Sequence, residues 1–272
     1  MRCYYLSDLH LERQDFHWTL PRGDVLVVAG DLCNARCLAP GGSDSYSTRQ
    51  RDRVLRFIDR ARTNFAHVVL VPGNHEHYDG VFDTTAALLK QHLPGVAVLD
   101  DEAVALDGVN FFGATLWTDF EGRSQAAMDR VRRRCGEFFF VKKERRGNDG
   151  TASQTRFQPE DALAAFDNAW NVLQRHLAQR KGPTVVITHH APSRLGLNGD
   201  HADNGLDAAF ASDLDTHIAS LHGVPAWIHG HTHVRRTYRI GDTTLRTNCR
   251  GFDGKDASAR AFRPDVYFDI GG

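Results

Sequence analysis

The sequence predicts an α/β fold built on a largely parallel sheet, and three observations carry that prediction. Short apolar runs rich in β-branched residues recur at 3–6, 25–29, 68–71, 184–187 and 226–228. They lack the alternation of a one-sided strand, which suits strands covered on both faces. Helical periodicities fill the gaps between them, as in a chain that alternates strand and helix. The last third changes character: 237–240, 243–247 and 265–270 are strand-like, with a Gly241-Asp242 turn between the first two. Extra antiparallel strands are predicted there.

The helices follow in order. Ser47 and Gln50 have the spacing of a capping box, and Val54, Leu55, Ile58 and Ala61 then fall on one face. Leu163, Phe166, Trp170, Leu173 and Leu177 recur at alternating steps of three and four, and Gly182-Pro183 closes that helix. Phe210, Leu214, Ile218 and Leu221 repeat the pattern before Gly223. One stretch stands apart. Residues 121–156 hold ten Lys and Arg against five Asp and Glu, with a loop-like middle from Asn148 to Ser153. The expectation is a single domain over 1–272 with a basic insertion or cap at about 118–157. A solvated face is the ordinary reading of such a charge run. The sharper reading is that Arg132, Arg133 and Arg134 attract a substrate with more than one phosphate.

Composition narrows the function classes. Of the 272 residues, 41% are hydrophobic and 25% charged, as in an ordinary globular protein, and the formal net charge is −1. A near-neutral chain has no global field to draw it to nucleic acid or an anionic membrane. The five cysteines are odd in number and form no CxxC pair, against a disulfide framework or a thiolate zinc site. No apolar run has the length of a membrane span, and the N-terminal residues lack the apolar core of a signal peptide. A cytoplasmic, reduced protein is expected.

The apolar runs end in polar clusters: Asp8 and His10, Gly30-Asp31, Gly73-Asn74-His75-Glu76, His189-His190, and His229-Gly230-His231-Thr232-His233. Sites in open α/β sheets form beyond the carboxyl ends of strands, so five such ends would converge. Imidazole and carboxylate together suit Mn, Fe, Zn or Co rather than Ca. A carboxylate can also bridge two cations ~3.5–4 Å apart.

This order of motifs, from Asp8 to His233, resembles the calcineurin-like metallophosphoesterase family. The resemblance implies a four-layer α-β-β-α sandwich of two mixed sheets with flanking helices, and two divalent metal ions. It assigns Asp8, His10, Asp31 and His233 to one ion. It assigns Asp31, Asn74, His189 and His231 to the other, with Asp31 bridging. His75 would be catalytic, facing the substrate phosphate and the leaving oxygen. The implied reaction is hydrolysis of a phosphodiester or phosphomonoester by a hydroxide shared between the cations, whose bound water falls toward a pKa of ~7. A phosphorylated small molecule or nucleotide-type compound would be the substrate. The family often carries Asp where this chain has Asn34, so hydrogen bonding near Asp31 is expected to differ. Glu76 or another acid could hold a proton on His75.

His190, His229, Tyr78, Trp117 and Arg250 are expected around the site, with packing as the plain alternative, and Arg250 could equally pin a turn. His201 is taken as a surface or core residue. Two other functions compete. One is a non-catalytic scaffold, which would lack a ligand or His75. The other is a different metallohydrolase, which would place its His-x-His early, or follow it with Asp-His. Here Val234 and Arg235 follow His233.

Overall fold

The computed structural model describes residues 1–39, 44–147, 149–199, 205–256 and 258–271. Its first half alternates as the apolar runs predict: β1 (Arg2–Leu6), β2 (Gly23–Ala29), α1 (Ser45–Asn64), β3 (Phe65–Val71), α2 (Asn74–His77), α3 (Thr85–His92) and β4 (Ala97–Val98). A hairpin of β5 (Glu102–Leu106) and β6 (Val109–Ala114) follows. Then come α4 (Phe120–Arg123), α5 (Gln125–Arg132), α6 (Glu137–Phe140) and a ribbon of β7 (Lys142–Arg146) and β8 (Ala152–Arg156). The chain finishes with α7 (Pro159–Gln179), β9 (Thr184–Thr188), α8 (Asp215–Ala219), β10 (Ala226–His229), β11 (Arg235–Ile240), β12 (Thr243–Asn248), α9 (Ser258–Ala261) and β13 (Tyr267–Asp269).

The strands form two large mixed sheets rather than one. Their orders are β13-β1-β2-β3-β4 and β11-β12-β10-β9-β6-β5. The pleat explains the layers, because neighbouring residues on a strand face opposite ways. Tyr5, Val25, Val27, Val69 and Val71 of the first sheet pack against Phe111, Val185, Ile187, Ala226 and Ile228 of the second. Their neighbours Leu6, Leu26, Val28 and Leu70 face Val54, Phe57, Ile58 and Ala61 of α1. On the far side Phe112, Val186 and Trp227 meet Val131 of α5 and Phe166 and Leu173 of α7. β1, β2, β3, β6, β9 and β10 are thus largely buried on both faces, and the layers run α-β-β-α. The added C-terminal strands are antiparallel where expected: β11 pairs with β12 and β13 with β1.

Two local expectations are corrected, and one hairpin is new. Asp44, not Ser47, caps α1, accepting from the N–H of Tyr46 and Ser47 at 3.0 and 2.8 Å. The helix predicted over 210–221 is only α8. Backbone bonds from Ser212 to Ala191 and from Leu214 to Pro192 tie the preceding residues to the segment after β9. Hairpin β5–β6 has no counterpart among the predicted strands. Asn148 and His201 lie outside the described residues.

Much of the basic stretch is neutralised by neighbours. Arg145 forks onto Asp161 at 2.7 and 2.6 Å, Arg132 pairs with Glu160 at 2.6 Å, Arg123 pairs with Asp167, and Lys143 pairs with Asp83. Arg134 lines a cavity at the candidate metal centre.

Candidate metal centre

β1, β2 and β3 of one sheet and β9 and β10 of the other lead into one site. The chain leaves strand geometry abruptly there. Asp8, His10, Asp31, His231 and His233 have φ of +54, +47, +55, +65 and +48°. Asp and His enter this left-handed region more readily than most residues, yet each such residue costs of order 1–3 kcal/mol. Packing holds them: a Cβ on Gly73 would run into Asp31 Oδ1 and meet His189 Cε1 at 2.8 Å. Only glycine permits that approach.

Glu76 ties two of these loops together. Its buried carboxylate accepts N–H groups from Asp31 and Gly73 on one oxygen, at 2.9 and 2.6 Å. The other oxygen accepts from Leu32 and Cys33, at 2.6 and 3.1 Å. Burial and the nearby Asp31 push this carboxyl up to about 7, while the backbone donors oppose that push. Four donors and two oxygens suit the ionised form.

The donor atoms gather into groups that share Asp31. On one side His233 Nε2 lies 3.2 Å from His10 Nε2 and 3.4 Å from Asp8 Oδ1, and Asp31 Oδ2 is 3.9 Å from His10 Nε2. On the other, His189 Nε2 lies 3.3 Å from Asp31 Oδ1, 3.1 Å from Asn74 Oδ1 and 3.2 Å from His231 Nδ1. Asp31 therefore presents one carboxylate oxygen to each group. Asp8–His10–His233 and Asp31–His189–His231 are each close enough to hold a metal ion, as are His10–Asp31–His75.

Outer partners fix the rings. His10 Nδ1 meets Glu12 at 3.0 Å, His189 Nδ1 meets the Ala29 carbonyl at 2.9 Å, and His233 Nδ1 meets Asp256 at 2.6 Å. With protons held at Nδ1, the Nε2 lone pairs of these rings point inward. Two inward lone pairs 3.2 Å apart repel unless a cation or shared proton lies between them, so the donor set fits a metal. Burial disfavours the Asp31 carboxylate, but His189, His75 and His10 outweigh it and hold the carboxyl well below its usual range.

Phe252 stacks on His10 at 4.1 Å, Tyr78 on His75 at 4.4 Å and Phe210 on His231 at 4.5 Å. These three aromatics also wall a cavity of about 350 Å³ above Asp31, Asn74, His75, His231 and His233. Arg134, Glu137, Leu197 and Asn198 also line it. Tyr78 thus sits at the site, its hydroxyl 3.1 Å from Asn74 Nδ2 and 3.3 Å from Glu137.

The remaining residues lie behind the site. His190 bonds the Thr115 carbonyl at 3.1 Å, and Trp117 stacks on its ring. Trp117 lines a separate cavity instead. His229 bonds Tyr238 at 3.0 Å. Arg250 is fully buried, bonding the Leu9 carbonyl and Asp253, so it pins a turn. The sequence reading missed Glu12, Asp256, Phe210 and Phe252. Glu12 follows His10 by two residues, the one hint available; Asp256 had none.

The arrangement is that of a two-sheet metallohydrolase. The sequence profile described as calcineurin-like phosphoesterase matches residues 1–235, and the chain belongs to that family. It is accordingly a hydrolase of phosphoric ester bonds, and the family implies divalent metal ions. Uncharacterized protein L509 of Acanthamoeba polyphaga mimivirus is 24% identical over 299 residues, covering 98% of this chain and 95% of that protein. The crystal structure of phosphopantetheinyl hydrolase (PptH) from Mycobacterium tuberculosis superposes with a TM-score of 0.62 at 18% identity. That match covers 97% of this chain and 93% of the other, and it supports the fold. Among the described residues, no helix is long and apolar enough to cross a membrane.

Proposed function

We propose that the chain hydrolyses a phosphate ester of a small organic or nucleotide-type molecule at a binuclear centre. The placement of Asp31, one oxygen toward each donor group, carries this reading. Asp8, His10, Asp31 and His233 would hold one divalent ion. Asp31, Asn74, His189 and His231 would hold the second; Mn, Fe, Zn and Co all suit these donors. When bound, the ions supply Lewis acidity toward the phosphoryl group and acidify water.

The chain's own groups do the rest. His75 faces the cavity with Nε2 3.9 Å from Asp31 Oδ2, where it can donate a proton to the leaving oxygen. Burial lowers its proton affinity, but Asp31 and Glu12 raise it above the usual imidazole value. Tyr78, Phe210 and Phe252 exclude water and offer apolar surface to the organic part of the ester. Residues 1–272 form one domain in this reading, and 118–157 act as its cap, contributing Arg134 and Glu137 to the cavity. Five unpaired cysteines support a cytoplasmic setting.

A metal-by-substrate matrix tests the proposal. Mn, Fe, Zn, Co and Ni would each be paired with a phosphomonoester, a phosphodiester, cyclic and linear nucleotides and a phosphopantetheinyl ester. Turnover that needs added metal and disappears in Asp31→Asn is expected. A metal-replete protein inert to every ester would overturn it.

A further inference from the structure

We propose that Glu12 is the positioning residue of this centre: one of its carboxylate oxygens aims both His10 and His75. The inference rests on the roles proposed above for those two histidines.

Glu12 is 4% exposed. Its Oε1 lies 3.0 Å from His10 Nδ1 and 2.9 Å from His75 Nδ1, so a single atom receives both rings. The rings themselves are edge-on, with centroids 4.5 Å apart and planes at 67°. A carboxylate only accepts, so each imidazole must carry its proton at Nδ1. The same bond then has two consequences. It leaves the His10 Nε2 lone pair facing Asp8, Asp31 and His233, as a ligand needs. It also turns His75 Nε2 toward the cavity, where a second proton, on the imidazolium, can be given to the leaving oxygen.

Stacking completes the restraint. Phe252 covers His10 and Tyr78 covers His75, with interplanar angles of 24° and 23°. With one ring face covered and Nδ1 anchored, neither imidazole can flip without breaking both contacts. The other oxygen of Glu12, Oε2, is buried without a hydrogen-bond partner among the described residues, an arrangement that costs free energy. Asn34 plays no part in aiming either ring: its amide donates to the His75 backbone carbonyl and accepts from Tyr46.

Long-range proton–nitrogen correlation spectra of the ¹⁵N-labelled, metal-free protein at alkaline pH read the tautomer directly. The wild type is expected to show Nδ1–H at both His10 and His75. Glu12→Ala is expected to give mixed tautomers at both, and Glu12→Gln, which keeps an acceptor oxygen, to restore Nδ1–H. In the metal-loaded enzyme, kcat of Glu12→Ala should fall roughly 10–100-fold with KM nearly unchanged, and Glu12→Gln should recover part of it. An Nε2–H tautomer at either histidine of the wild type would overturn the proposal, and that measurement needs no variant to fold. Unchanged histidine spectra in Glu12→Ala would do the same. Should the wild type hydrolyse no ester at all, the proposed function fails while the spectra still decide the role of Glu12.

Discussion

His75 touches Asp31 and Glu12 but belongs to neither of the two four-residue ligand sets, so its loss should separate chemistry from metal binding. His75→Gln is expected to retain metal and lower kcat ~10²-fold or more, checked by metal analysis beside steady-state kinetics. Glu76 has a different character. It does not line the cavity and instead gathers four backbone N–H groups from two loops. In Glu76→Gln, an amide N–H₂ faces donors and one pair of bonds is lost. Unfolding free energy should drop by about 2–4 kcal/mol, measured by urea denaturation, and kcat should drop with it because Asp31 loses its anchor.

Between secondary-structure elements, charge is placed less favourably. Asp100 links β4 to β5. Burial, Asp101 and Glu102 raise its carboxyl to about 7 from the usual 3.8. The folded state therefore binds more protons than the unfolded chain between those values. Stability should decline as pH rises from about 4 to about 7, and the penalty is complete above that. Asp100→Asn should raise stability above neutral pH by of order 1–3 kcal/mol and change nothing near pH ~3, a contrast thermal melts can follow. In the basic stretch, Arg134 lines the cavity, and Arg132 pairs with Glu160. Arg134→Gln should raise KM several-fold for an ester with a second phosphate and leave a neutral-tailed ester unaffected, while Arg132→Gln should alter neither. These elements also show what sequence makes legible. Continuous apolar runs marked β1, β2, β3, β9 and β10, because strands buried on both faces leave no other pattern. Asp8, Asp31 and His231 stood out because they close those runs. Asp256, on His233 from 23 residues away, arises only from tertiary packing. The 210–221 helix misled because an apolar period of three to four also suits a loop that plugs a cavity wall with Phe210.

Across the whole molecule, the candidate centre requires both sheets. Asp8, His10, Asp31 and Asn74 follow strands of the first, while His189, His231 and His233 follow strands of the second. Cations held between them would join the two halves, and their binding energy would add to folding stability. Asp31 is the proposed shared ligand on which the binuclear reading turns, and counting ions tests it most directly. Equilibrium dialysis against Mn, Co or Zn, followed by elemental analysis per chain, should find two ions in the wild type and fewer in Asp31→Asn. A wild type that never exceeds one ion under any loading, or an Asp31→Asn variant that still binds both, would contradict it.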